Sequence, residues 1–391
     1  MFYYISLLFL LLLFSSNRLV INSNSLYYYG KKYEKIIFLF IALFLCGGYM
    51  TGSDWRSYEL FYYEVDFGKY SYYSVEPLFY LLISVINKLI TDYFVFVIIA
   101  KLIIFFLIYK FFKKFSPNIF ISYFFYIPWF GLYLFIDNPL RFMMALGFVT
   151  ISYKYILESK FWVFFLLVVI GALFHYTVLF FIPFYFIRKM KIRVPRIILI
   201  IIFTIWTFSF SAQDLFSLLG SQKNYIQFVF DEYGGYINML KGFEGGTFSI
   251  GLILNLFLFI IVVWNKEKIE KKIKNGQIFY TFTIIYFFLS KFALILTAGV
   301  RLSHVFAPFF IVVLTFIILE YKKGIKKFIP FILMLFILLY TYKKIDNHYV
   351  YIPYTNYIIY SMTGNHPSYS YRSQYNLKKY EERKHHSYYN Q

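Results

Sequence analysis

The sequence predicts an all-α, polytopic integral membrane protein with about 10–13 membrane helices, some of them short or re-entrant. Three observations carry this expectation. Hydrophobic residues fill 60% of the 391 positions and charged ones only 15%, and the mean hydropathy of +0.62 is far above that of soluble chains. Apolar runs of membrane-spanning length recur from end to end, joined by connections too short to hold an ordinary soluble domain. Lys and Arg, which give a net charge of +20, fall in short clusters between those runs. That is the pattern of cytoplasmic loops facing an anionic leaflet, so a lipid bilayer and not nucleic acid is the expected partner. One transmembrane domain is expected over residues 1–365, followed by a polar, disordered tail at 366–391. Cys46 is the only cysteine and sits in an apolar run, which leaves neither a disulfide framework nor a cysteine-based zinc site.

Taken in order, residues 2–14 form the first span, with no basic residue ahead of them to mark a cleaved signal peptide. Arg18, Lys31, Lys32 and Lys35 then signal the inside, which puts the amino terminus outside the cytoplasm. Residues 36–50 go back out to a loop carrying Asp54, Glu59, Glu64, Asp66 and Glu76. Glu76-Pro77 opens a helix over 78–90 that is too short for a comfortable span and must re-enter or lie at the interface, while residues 93–112 cross inward to Lys110, Lys113 and Lys114. Residues 119–136 go out and 141–157 return. Asp137-Asn138-Pro139 reads as a capping side chain ahead of a proline at the first helical position.

The next run, 161–187, has about 27 apolar-rich positions, yet both ends lie beside inside signals, Lys160 and Arg188-Lys189. A single span needs about 20 residues. It must therefore break into two short helices, with the turn near 171–175. Residues 197–210 lead to a long loop at 211–247, punctuated by glycine pairs and suited to act as a lid. Spans at 248–264, 278–296, 305–319 and 328–342 follow, with basic connections at 265–274 and at Lys322, Lys323, Lys326 and Lys327.

Candidate functional residues collect on the predicted outer face. Arg141 lies in the first turn of its helix, where a cation opposes the helix dipole unless an anion is bound there. His175 stands in an otherwise apolar run, and intramembrane histidines are functional candidates by default. Asp54, Glu76 and Arg301 complete the set. Each has a simpler reading: headgroup snorkelling for the arginines, a helix-stapling hydrogen bond for His175, capping for the two acids. Lys101 and Lys291 are polar intruders in spans without an evident partner. No P-loop, dinucleotide-binding glycine motif, metal-binding histidine pair or nucleophile elbow is present, so no cofactor and no metal are expected. Two arginines with carboxylates and a histidine suit a substrate that is part lipid and part phosphate anion.

The series Gly52-Ser53-Asp54-Trp55 with Tyr58, Glu76-Pro77-Leu78-Phe79, Asn138-Pro139-Leu140-Arg141 with Ala145, Ala172-Leu173-Phe174-His175-Tyr176-Thr177, Val300-Arg301 with Phe306, and Ile352-Pro353-Tyr354 resembles the EpsG family of Wzy-like polysaccharide polymerases. It departs from the family pattern at Phe142, where glutamine is common, and at Val178, where a small residue is. The resemblance implies a fold related to the GT-C-like helical membrane glycosyltransferases. It also implies polymerisation of undecaprenyl-pyrophosphate-linked oligosaccharide repeat units into O-antigen, capsule or exopolysaccharide at the extracytoplasmic face of the bacterial inner membrane. A flippase and a chain-length regulator are the protein partners it suggests. On this reading Arg141 and Arg301 hold the pyrophosphate, and His175, Asp54 or Glu76 is the general base. A flippase or exporter of the same lipid-linked sugars, an O-antigen ligase and a membrane acyltransferase are the alternatives.

Overall fold

The structure, a computed structural model, describes residues 2–20, 23–66, 75–209, 250–292, 297–321, 328–346, 351–352, 354–364, 367–375 and 377–378. The loop at 211–247, the lysine cluster at 322–327 and the end of the tail fall outside these residues. Among the described residues every regular element is helical, and five helices are long and apolar enough to cross a membrane, with six shorter apolar helices beside them. The chain divides into two compact units, one formed by Met1–Ile182 with Ile318–Gln391 and the other by Pro183–Ile317.

The first unit contains α1 (Phe2–Val20), α2 (Ser23–Cys46), α3 (Trp55–Glu64), α4 (Pro77–Leu89) and α5 (Tyr93–Phe115). Asp92 starts α5 by accepting from the amides of Phe94 (2.8 Å) and Val95 (3.2 Å), and Lys113 and Lys114 close it where cations suit the dipole. Asn118 caps α6 (Ile119–Tyr126) in the same way, and that helix continues as a π-helix from Ile127 to Asp137. Pro128 opens the π-helix, and its carbonyl accepts from Lys344 (3.0 Å). Then come α7 (Leu140–Leu157) and α8 (Phe161–Ala172).

Lipid offers no hydrophobic drive between apolar helices, so close approach and dispersion must hold them together. Gly171 supplies the approach: a Cβ there would lie 3.1 Å from the Ala145 carbonyl oxygen, so α7 and α8 touch backbone to side. Aromatic rings fill the remainder, with Phe148 stacked on Phe174 and Phe38 packed between Phe120 and Tyr123.

The long run 161–187 breaks where its length requires. After α8 comes a turn at 173–175, then a 3₁₀-helix over Tyr176–Phe181 and a short helix α9 (Phe184–Ile187). Phe181 returns to pack on Phe164 with ring centroids 5.4 Å apart, so the two arms run back along each other as a hairpin. The start of α7 differs from the sequence expectation. Because the π-helix runs on to Asp137 and closes with Asn138 in the left-handed region (φ 63°), Pro139 becomes the N-cap residue with no side-chain cap, and Asp137 accepts instead from the Ser53 amide (3.0 Å). Short α4 ends at Leu89, separate from α5.

The unit's last described elements are α15 (Phe328–Asp346), α16 (Tyr357–Thr363) and a helical stretch at 369–375. Residues 354–357, at the start of α16, lie against the end of α2. Tyr357 N–H donates to Gly47 O (2.8 Å), Tyr49 N–H to Thr355 O (2.9 Å), and the Asn356 side-chain amide to Leu43 O (3.2 Å), so the backbone at and just after the end of α2 gains hydrogen-bond partners. Polar composition makes 366–391 read as disordered tail. Residues 369–375 instead form a helix with Arg372 buried, because Tyr369 finds an aromatic surface on Trp55 and a cation in Arg56, 4.2 Å from its ring centre.

The second unit holds α10 (Arg196–Ser209), α11 (Ile250–Trp264), α12 (Lys266–Lys272), α13 (Gly276–Phe292) and most of α14 (Thr297–Glu320). Phe203 stacks on Phe259 at 3.9 Å, and Phe282 meets Phe306 and Phe309 edge-on. Lys291 gains the partners that the sequence did not reveal. Its buried ammonium donates to the carbonyls of Trp206 and Thr207 at the last turn of α10, where a cation complements the dipole.

Candidate active site

Four segments of the first unit meet around one carboxylate. Glu76 precedes Pro77, which has no amide hydrogen. The next amide, Leu78, donates to the carbonyl of Leu173 in the turn after α8 (3.0 Å). That bond ties the start of α4 to the turn that carries His175. As the N-cap residue of α4, Glu76 makes no side-chain capping bond. Its carboxylate reaches across instead, with Oε2 accepting from Arg141 Nη1 (2.7 Å) and Oε1 lying 3.7 Å from His175 Nδ1. The Glu76 side chain is 2% exposed and that of Arg141 28%. A carboxylate this deep needs a counter-charge, and Arg141 supplies it.

Arg141 is held from a second side. Its Nε donates to the Tyr58 hydroxyl (3.4 Å) from α3, and Tyr58 and Phe61 pack on Phe79 of α4. Among the described residues Nη2 has no hydrogen-bond partner. The guanidinium thus combines two fixed bonds with unused donors at the first turn of α7, which has no side-chain cap and whose first amides have no partner within the helix. Such a donor set suits phosphate oxygens.

His175 is buried, its ring edge-on to Phe142 of α7 at 5.9 Å. It is also the N-cap residue of the 3₁₀-helix, with Nδ1 accepting from the Thr177 amide (3.4 Å) and lying 3.2 Å from the Thr177 hydroxyl. Asp54 stands one helical turn before Tyr58, whose amide donates to the Asp54 carbonyl (3.2 Å), and the Asp54 side chain is exposed and makes no capping bond. Neighbours at i and i+4 share a helix face, so Asp54 borders the cluster through Tyr58 without touching Glu76 or His175. Gly52 keeps this loop close: at φ +91°, a Cβ there would fall 2.1 Å from the Asp137 carbonyl oxygen.

Arg301 belongs to the second unit, in α14, half-buried, and its buried Nε has no hydrogen-bond partner among the described residues. His304 follows three residues later and is buried. The structure thus joins Glu76, Arg141 and His175 directly and adjoins Asp54 through Tyr58. Sequence reasoning gave no role to Tyr58 or Thr177. The i, i+4 spacing of Asp54 and Tyr58 was the available signal for the first, and the short His-x-Thr spacing for the second. Among the described residues no group of three or more His, Cys, Asp or Glu side chains could hold a metal ion.

A family model decides the kinship of the chain: the EpsG family matches residues 31–358, most of its length and all five candidate residues. The chain belongs to the EpsG family. No curated protein and no solved structure matches it. Membership carries a membrane polysaccharide-polymerase-like role in exopolysaccharide biosynthesis and agrees with the helical, multi-pass architecture. The matched region ends at the second residue of α16. In this EpsG-family protein the helix at 369–375 that covers Trp55 therefore lies beyond the family's matched extent.

Proposed function

We propose that this EpsG-family protein is a glycosyltransferase that polymerises oligosaccharide repeat units carried on undecaprenyl pyrophosphate, working at the extracytoplasmic face of the bacterial inner membrane. The observation that carries the reading is Arg141: a guanidinium at an uncapped helix start, oriented by Glu76 and Tyr58, with donors still unused. In the reaction the acceptor hydroxyl oxygen bonds to the anomeric carbon of the donor glycan. The bond from that carbon to the pyrophosphate oxygen breaks, and the lipid pyrophosphate leaves with the electron pair. Negative charge grows on the leaving group, and Arg141 neutralises it; removing one such donor costs about 10²–10³ in rate. Glu76 is committed to Arg141 and serves as an orienting group. Asp54 and His175 remain as groups that could receive the acceptor proton.

A strain lacking the chromosomal copy, complemented with Arg141→Ala, tests the reading. Long glycan chains should vanish while single lipid-linked repeats persist. A chain-length ladder like that of the wild type from Arg141→Ala at matched membrane expression overturns it.

A further inference from the structure

Two basic stretches of the second unit, 188–196 and 264–277, meet in the structure. The Lys189 carbonyl accepts from the Gln277 side-chain amide, that of Met190 from the Thr281 hydroxyl (3.2 Å) and that of Ile192 from Lys266, so residues 188–193 are strapped to α12 and the start of α13. Arg188 anchors the strap, buried with its guanidinium 3.6 Å from the centre of the Tyr185 ring. The support is equally fixed: Ile269 of α12 is buried, and a Cβ at Gly276 would fall 2.1 Å from the Ile269 carbonyl oxygen. The two stretches carry ten Lys and Arg side chains against Glu267 and Glu270, a net of +8. Lys266 and Arg196 are spent inside the unit, on the Ile192 carbonyl and on Glu267. The side chains of Lys189, Lys191 and Arg193 are exposed and, among the described residues, have no partner. Three such cations within five residues of a held backbone repel one another and favour an anion. Apolar side chains are interleaved with them: Met190, Val194, Ile197 and Ile198 are exposed, as is Trp264, two residues before Lys266. An acidic protein or a soluble anion would pair the cations and leave that apolar surface wet. A phospholipid satisfies both, and tryptophan favours the headgroup level.

We infer that the strap at 188–193 is a headgroup site for an anionic phospholipid of the adjoining leaflet. Lys189, Lys191 and Arg193 bind the phosphodiester oxygens, and the acyl chains start along Met190, Val194 and Ile197. A zwitterionic lipid fits worse, because its own ammonium would face the same three cations. None of the candidate catalytic residues belongs to this site.

Native mass spectrometry of the detergent-solubilised full chain, titrated with phosphatidylglycerol, reads the occupancy. Each cation near an anionic headgroup strengthens binding about fivefold, so Lys189→Gln/Lys191→Gln/Arg193→Gln should weaken the tightest-bound lipid about 100-fold, and Lys191→Gln alone about fivefold. The clamp uses backbone carbonyls, so these substitutions leave it in place, and an unchanged melting temperature checks that. Removing the same charge from the first unit, with Lys110→Gln/Lys114→Gln/Lys160→Gln, should leave the affinity within about twofold, since distant charges are screened. Phosphatidylcholine with the same chains should bind the wild type no better than phosphatidylglycerol binds the triple strap variant. Gln277→Ala/Thr281→Val keeps every charge but frees the strap, and should weaken binding about threefold or more through lost preorganisation. Wild-type affinity in the strap variants, or an equal loss in the first-unit control, overturns the site. Wild-type affinity in the clamp variant overturns its fixed geometry and leaves only diffuse surface charge. Displacement of the lipid by equimolar glycerophosphoglycerol, the same headgroup without chains, overturns a lipid as the occupant.

Discussion

Cutting the Glu76–Arg141 pair from either side should have unequal consequences, because the partners are buried unequally. Two unit charges about 4 Å apart attract by about 4 kcal/mol at an effective dielectric of about 20. The 28% exposure of the Arg141 side chain lets water screen part of that, which brings the expected coupling to about 2 kcal/mol, a factor of about 30 in an equilibrium constant. Arg141→Ala leaves the Glu76 carboxylate, 2% exposed, without a counter-charge, and should destabilise the unit by about 3 kcal/mol. Glu76→Gln leaves a guanidinium that can still reach solvent and should cost about 1 kcal/mol. In the double variant the stranded charge is gone, so the loss should be about 2 kcal/mol and not the additive value of about 4, while chain extension stays lost. Unfolding of the detergent-solubilised protein, followed by tryptophan fluorescence across a denaturant series, gives the stabilities, and glycan chain length gives the activity. Single effects that add to within about 0.5 kcal/mol would show that the pair is not coupled. A double variant that makes long chains would remove the pair from the site.

Gly52→Ala should be severe for its size, since the new Cβ meets the Asp137 carbonyl at 2.1 Å and the backbone stands at φ +91°. A loss of about 2–3 kcal/mol is expected in the same unfolding measurement, together with reduced chain extension as the Asp54 loop is pushed away. Alkaline pH should release the C-terminal segment: burial, and then the Asp92 carboxylate that accepts from its hydroxyl, push the Tyr357 pKa up to about 12 from 10.0. A raised pKa stabilises the folded form fully below pH 10 and loses that contribution as pH rises toward about 12. Protease cleavage of the tail should therefore accelerate over that window in wild type, and Tyr357→Phe should abolish this step.

Composition alone determined the fold class, because a bilayer admits only helices or closed barrels and the apolar runs here are of helical length. The break inside 161–187 was also legible, since charge at both ends and a length of about 27 residues leave a single span no solution. So were Asp54, Glu76, Arg141, His175 and Arg301 as charged or titratable residues within or beside apolar runs. Their relations were not legible. Glu76 reads locally as a plain helix cap and Asp137 as the cap of α7, yet each carboxylate is used by a segment more than sixty positions away. The π-helix that runs on to Asp137 has no distinctive sequence period, so the start of α7 could not be placed from its capping residues. Lys291 looked partnerless because its partners are backbone carbonyls, which every sequence has and none displays. The tail read as disordered because polar composition cannot register a docking surface supplied by Trp55 and Arg56. A side chain's cost is set by its own chemistry and is written in the sequence; what offsets that cost is another segment's geometry, which exists only once the chain has folded.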